Sequence, residues 1–315
     1  MSENKYLIIY NICEIGTKNC DWYTKCIDNL LKINYKRYHI VVSGCRVSTE
    51  TKQELYNRYK DKVSFIYTEN FLAVNVTFNL AVRYCVKKFG SFTGYLYFDS
   101  GVDIENNYGL LNEIEERVLQ DKYSMITIQT DTDTGHGNWN LPQYIKNSDF
   151  IMPVGKCCNL HVSYFSDELR VAFNNKIIPD IFNAYCTESV FSFLNACIQK
   201  QWVIVKDLIL THIKEQDGAT MSYDHIGPRG VPWNNLYAMA DMREIINDPK
   251  AREVGLGYEE RTGVLRHDPQ LYTAEGHCKN NKLKDYIKDK LFLSPDQLDY
   301  DHILNTFIPA KPPTK

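Results

Sequence analysis

Residues 95–104 read YLYFDSGVDI. The run 95–98 is apolar and aromatic without interruption, as a short strand buried on both faces would be. It delivers Asp99, and a second carboxylate, Asp103, follows four residues later. Asp-Ser-Gly is also good turn chemistry, because Asp bonds to the backbone just ahead of it and Gly relaxes the dihedrals. Two readings follow: a strand that hands a carboxylate to a ligand, or a strand closed by a plain turn.

The hundred residues upstream alternate strand and helix signals. Residues 6–10 form an apolar run, and Tyr23, Cys26, Ile27, Leu30 and Leu31 then recur at helical spacing. Residues 39–42 are the next run. Thr51 and Glu54 have the spacing of a capping box that opens a helix through Tyr59. Residues 63–67 are strand-like, and 72–88 are helical with Val74, Phe78, Ala81, Val82 and Cys85 along one side. This repeated β-α-β-α order predicts an α/β fold whose central sheet is mainly parallel and flanked by helices. Ligands of such sheets bind beyond the carboxyl ends of the strands. Asn11, Ser43, Thr68 and Asp99 stand at those ends.

Downstream, residues 107–120 read as a helix and 123–128 as a strand. The stretch 131–140 (DTDTGHGNWN) is a polar loop, and Leu160, Val162 and Tyr164 alternate as an antiparallel strand would. Residues 187–198 have helix character, with Thr187 as the cap and Glu188 in the first turn. Two short apolar runs, 202–205 and 208–210, end at Thr211 and His212. Past residue 217 the periodicity fades, and Gly218, Gly227, Pro228, Gly230 and Pro232 mark an irregular segment. Helices return near 235–246 and 282–291, and the tail IPAKPPTK is expected to be disordered.

Composition narrows the function classes. The 315 residues carry a net charge of −3, so no global field draws the chain to nucleic acid. Hydrophobic residues at 44% and charged residues at 24% are ordinary for a soluble globular protein. Twenty-two tyrosines exceed what a core alone needs, and such rings often line sugar or base sites. The opening MSENKYLIIYNIC lacks the basic stretch and long apolar core of a signal peptide. No apolar run approaches the ~20 residues that span a bilayer. The ten cysteines contain no CxxC pair, which argues against a zinc site and for free thiols in a reducing compartment. A cytoplasmic location is expected.

Three stretches, LAVNVTFNLA (72–81), YLYFDSGVDI (95–104) and CTESVFSFLNACIQKQWVIVKDLILTH (186–212), resemble a GT-A fold glycosyltransferase, closest in style to glycosyltransferase family two. The resemblance covers roughly residues 5–215. It implies a catalytic domain over 1–220, with a nucleotide-binding half (1–104) and an acceptor half (105–220). Residues 221–315 would be a partly helical C-terminal extension with a disordered tail near 308–315. The implied activity is transfer of a sugar from a nucleotide-diphosphate sugar, UDP-linked by default, to a hydroxyl of a glycan or other acceptor. The implied cofactor is Mn²⁺ or Mg²⁺, because a divalent cation offsets the charge of the departing diphosphate and prefers oxygen ligands.

Residue by residue, Asp99 matches the first position of the family's Asp-x-Asp motif, but Gly101 stands where the last Asp is usual. Either Asp103 reaches the metal through an irregular turn that Gly101 permits, or metal binding is weakened or absent; His212 matches a metal-completing His. Glu188 matches the carboxylate that deprotonates the acceptor hydroxyl, and equally suits a helix N-terminus. Nucleotide-sugar contacts are expected from Asn11, Glu14, Ser43, Asn79, Asp99, Ser100, Gly101 and Arg229, with Cys45 beside the base and Arg46 either at a phosphate or in solvent. Acceptor contacts are expected from Asp133, His136 and Trp139. The segment 225–233 (HIGPRGVPW) is either a lid over the donor or a surface brace. Two other readings remain: a sugar nucleotidyltransferase, against which ICEIGTKNC (12–20) offers one Gly and one Lys, and a glycan-binding protein with a decayed site, which Gly101 favours.

Overall fold

Seven residues with no alternation, Tyr6–Ile12, form β1, and all seven are buried. They lie at the centre of the sheet, where both faces are covered and a continuous apolar run is required. The structure, a computed structural model, describes residues 5–14, 18–45, 47–68, 74–131, 147–156, 158, 160–180, 187–213, 248–254, 256–259, 264–267, 269–292 and 299–307. From β1 the chain runs through α1 (Cys20–Leu30), β2 (Tyr38–Cys45), α2 (Thr49–Tyr59), β3 (Ser64–Thr68), α3 (Val74–Phe89) and β4 (Gly94–Phe98). Two caps set the helix starts. Asn19 accepts a hydrogen bond from Trp22 N, and Ser48 accepts one from Thr51 N. The expected box at Thr51 and Glu54 is therefore one turn late: the cap is Ser48, and Thr51 already lies inside the helix.

Next come β5 (Val102–Asp103), α4 (Leu110–Val118), β6 (Tyr123–Thr130), β7 (Phe150–Ile151), β8 (Val162–Ser166), α5 (Asp167–Ala172), α6 (Thr187–Cys197) and β9 (Gln201–His212). Among the described residues the strands form one nine-stranded sheet in the order β3-β2-β1-β4-β8-β6-β9-β5, with β7 on β9. β3, β2, β1 and β4 run parallel, as expected. β8 enters antiparallel between β4 and β6, and β6 and β9 run parallel to each other. The two apolar runs 202–205 and 208–210 belong to a single strand. A bulge shifts its register from Thr127↔Ile204 to Gln129↔Ile209, with Asp207 at φ 55°.

Strand alternation divides the core in two. Leu7, Ile9, Val41, Tyr95 and Tyr97 face Phe78, Ala81 and Val82 of α3 and Phe191 and Leu194 of α6. Ile8, Tyr10, Val42, Leu96 and Phe98 face Tyr23, Cys26 and Ile27 of α1 and Leu110 and Ile114 of α4. The C-terminal elements are α7 (Pro249–Glu253), the hairpin β10 (Leu256–Glu259) and β11 (Val264–His267), α8 (Lys282–Leu291) and α9 (Tyr300–Phe307). Ala251, Leu283, Ile287 and Leu291 join the first of these cores. No described helix is long and apolar enough to cross a membrane. Among the described cysteines, Cys20, Cys26, Cys85, Cys197 and Cys278 are outside any disulfide.

Candidate functional site

The turn after β4 is fastened from four directions. Asp99 N donates to His161 O at 2.8 Å, which ties the end of β4 to the residue preceding β8. The Asp99 carboxylate accepts from Gly101 N at 3.0 Å and Ser100 Oγ at 3.2 Å, so the Asp-Ser-Gly turn is present. The Ser100 carbonyl accepts from Trp22 Nε1 at 2.8 Å and Tyr10 OH at 3.2 Å. Val102 then pairs with His212 across β5 and β9, and Ile213 N donates to Gly101 O at 2.9 Å.

This stitching brings together three residues that lie far apart in sequence. His161 Nδ1 is 3.7 Å from one Asp99 oxygen, and His212 Nε2 is 4.0 Å from the other. The two imidazoles stack with centroids 4.1 Å apart and planes 27° apart. One ligand atom from each residue lies within 4.8 Å of the others, the spacing of a metal-binding group. Lys18, buried, donates to Ser100 Oγ at 3.0 Å and stands 4.0 Å from Asp99. Burial pushes the Asp99 carboxyl up. The His161 imidazole beside it, with Lys18 and His212, outweighs this and holds it well below the usual carboxylate range.

The donor set fits a divalent first-row ion, two imidazole nitrogens and a carboxylate oxygen. Gly101 makes the room. A Cβ there would lie 2.8 Å from His212 Nε2 and 3.1 Å from Ile213 O, so no side chain fits while the imidazole holds its place. The glycine that interrupts the Asp-x-Asp spelling leaves His212 room to approach Asp99.

Several expected site residues are engaged elsewhere. Asp103, expected as a metal ligand, is 2% exposed and accepts from Asn29 Nδ2 at 2.8 Å, Lys25 Nζ at 2.9 Å and Glu105 N at 3.1 Å. It anchors β5 to α1, and the partner of Asp99 is His161 instead. Glu14, expected at the base, accepts from Ser48 N, Ser48 Oγ and Thr51 Oγ1 and so secures the start of α2. Asn79, expected beside the nucleotide, has both ends of its amide occupied. Its oxygen accepts from Ile177 N and Ile178 N, and its nitrogen donates to Ile178 O and reaches Asp180 and Tyr300.

Asn11 and Ser43 do meet at the strand ends, paired in register and linked through Thr77 at 3.5 and 3.3 Å. Cys45 pairs with Thr68 through the backbone. Glu188 is the second residue of α6, so Thr187 is helical and not the cap; the Glu188 side chain lies outside the described residues. Arg46, Asp133, His136, Trp139 and Arg229 lie outside them too.

His161, Lys18 and Trp22 stand outside the motifs legible in the sequence. His161 precedes an alternating strand, a visible signal, but nothing in the order of segments says that this strand lies beside β4.

No protein-family model matches the chain, and no curated protein sequence matches it. Solved structures do. The mannosyltransferase PcManGT from Pyrobaculum calidifontis, in complex with GDP-Man and Mn²⁺, aligns with 90% of this chain and 69% of its own at a TM-score of 0.50 and 10% identity. S. aureus TarS aligns over 77% of this chain at a TM-score of 0.50 and 13% identity. A TarS 1–349 structure aligns over 66% at 0.47 and 13%. The match spans 40% of the longer TarS chain and 60% of the shorter one. The likeness is one of fold: the nine-stranded mixed sheet with its helices is GT-A-like.

Proposed function

We propose that this protein transfers a glycosyl unit from a nucleoside-diphosphate sugar to a hydroxyl acceptor. The observation that carries the reading is the Asp99–His161–His212 group at the carboxyl end of β4. In a sheet of this kind, that is where a ligand binds. A fold neighbour solved with GDP-Man and Mn²⁺ supports the same donor class and the same kind of cation. A divalent cation held by these three side chains would offset the charge that develops on the departing diphosphate.

The remaining roles belong to the chain. Asn11 and Ser43 face the nucleoside at the ends of β1 and β2. Lys18, fixed by Ser100, adds positive charge beside the diphosphate, and Arg229 meets it from the C-terminal half. Glu188, at the start of α6, takes the proton of the acceptor hydroxyl. Asp133, His136 and Trp139 hold the acceptor. The default base is uracil, the product is a glycan or polysaccharide, and the site of action is the cytoplasm. Gly101 no longer favours a decayed, glycan-binding site, because the His212 ring occupies the space of its missing side chain.

The test is a screen of UDP- and GDP-sugars for metal-dependent hydrolysis, with melting temperature read alongside. At least one donor is expected to be hydrolysed and to raise the melting temperature by mass action. Asp99→Ala should lower turnover at least about 100-fold, the scale of losing one main electrostatic contact. If no nucleotide sugar is hydrolysed or shifts melting, the reading fails.

A further inference from the structure

We infer that Asp99, His161 and His212 form a preassembled three-ligand site that binds a late first-row divalent ion before any donor arrives and rejects Mg²⁺. The inference rests on the donor-site reading for the ion's place beside a diphosphate, and not for ion binding itself.

Two lines of observation carry it. The first is ligand chemistry. Mg²⁺ demands oxygen ligands in near-ideal octahedral order and usually keeps several waters. A site of carboxylates alone suits it. Here two of three donors are imidazoles, which suit Co²⁺, Ni²⁺ and Zn²⁺ far better. Asp103, the carboxylate that would have made the site oxygen-rich, is buried against Asn29 and Lys25. Within the divalent series, affinity at such nitrogen-bearing sites rises from Mn²⁺ to Co²⁺. The expected order is therefore Zn²⁺ and Co²⁺ above Mn²⁺, with Mg²⁺ last.

The second is rigidity. Each ligand sits on a backbone fixed to its neighbour. Asp99 N bonds His161 O, Val102 pairs with His212, and Gly101 O accepts from Ile213 N. The stacked imidazoles limit each other's rotation. The three ligand atoms lie within 4.8 Å of one another and need to close by at most about 2 Å to reach the spacing set by metal–ligand bonds of about 2.1 Å. Donors already gathered lose little freedom on binding, so a phosphate oxygen is not needed to complete the site.

The experiment uses the full chain without an affinity tag, stripped of metal and titrated with Co²⁺ as the probe, with visible absorption as the readout. One equivalent is expected to bind in the absence of nucleotide. Zn²⁺ should displace it near stoichiometry, and Mg²⁺ in about 1,000-fold excess should not. His161→Ala and His161→Gln should each weaken Co²⁺ binding more than tenfold, at least what removal of an outer-shell partner costs. The second variant keeps a side chain of similar length should the first fail to fold. His302→Gln, on α9, should leave binding unchanged. Displacement of Co²⁺ by comparable Mg²⁺, or unaltered binding in both His161 variants, overturns the inference. If the ion binds as stated but no nucleotide sugar turns over, the inference stands and the proposed activity falls. If donors turn over with Mg²⁺ alone, the reverse holds.

Discussion

A β-carbon at position 101 would sit 2.8 Å from Nε2 of His212, closer than such atoms tolerate. Writing the missing carboxylate back into the motif should therefore damage the site. Gly101→Asp is expected to lower Co²⁺ affinity and donor hydrolysis at least about tenfold, by pushing the imidazole away from Asp99. An increase in either would show that the ring yields easily. At this scale the sequence was informative in part. Asp99 was legible because an uninterrupted apolar run leads straight into it. His161 was not, because the contact that matters joins residues 62 positions apart across strands whose adjacency no local pattern encodes. Asp103 misled for a related reason. Its spacing from Asp99 suggests partnership, yet the two-residue β5 turns it toward Asn29 of α1.

Helix α9 is held to α3 by two kinds of contact. Buried Tyr300 donates to Asp180, and its hydroxyl accepts from Asn79 at 3.2 Å. Partly exposed Arg83 pairs with Asp301 at 2.7 Å. Loss of a buried hydrogen bond to a charged group costs about 1.5–3 kcal/mol, whereas an exposed ion pair contributes about 0–1 kcal/mol. Tyr300→Phe should thus lower unfolding free energy by about 1.5–3 kcal/mol, and Arg83→Ala by less than about 1 kcal/mol. Denaturant titration decides, and a larger effect at Arg83 would refute the ranking. Tyr300 was not singled out in the sequence, where nothing links residue 300 to residue 79. Elements with a strong period, such as α1 and Lys282–Leu291, were legible. The start of α2 was displaced because its capping partner, Glu14, comes from the loop after β1 and not from the helix itself.

Across the whole molecule, carboxylates tie distant parts of the chain. Glu115 of α4 accepts from Lys5, Tyr6 and Tyr35. Asp149 accepts from Arg117 and Lys206 N. Burial raises both acids, but those hydrogen bonds and the neighbouring cations prevail and hold both below the ordinary value. The unfolded chain then takes up protons first as pH falls. Stability is present in full above the ordinary carboxylate range and is lost progressively below about pH 4–5. Glu115→Gln should lower stability at pH 7 and flatten the acid limb of the stability curve. An unchanged acid limb would show that Glu115 is not among the groups responsible. The parallel half of the sheet was legible because β1, β2 and β3 are each followed by a crossover helix. The order β8-β6-β9 was not, since an antiparallel insertion leaves no signature beyond the alternation of one short segment.

The indole N–H of Trp22 ends on the carbonyl of Ser100, one residue from Asp99. A chromophore is thereby wired to the turn by a single bond, while Trp202 is sealed in the core against Thr127. The difference in ultraviolet emission between the native chain and Trp22→Phe becomes a label-free channel for following arrivals at that turn, with the signals of Trp139, Trp202 and Trp233 subtracted.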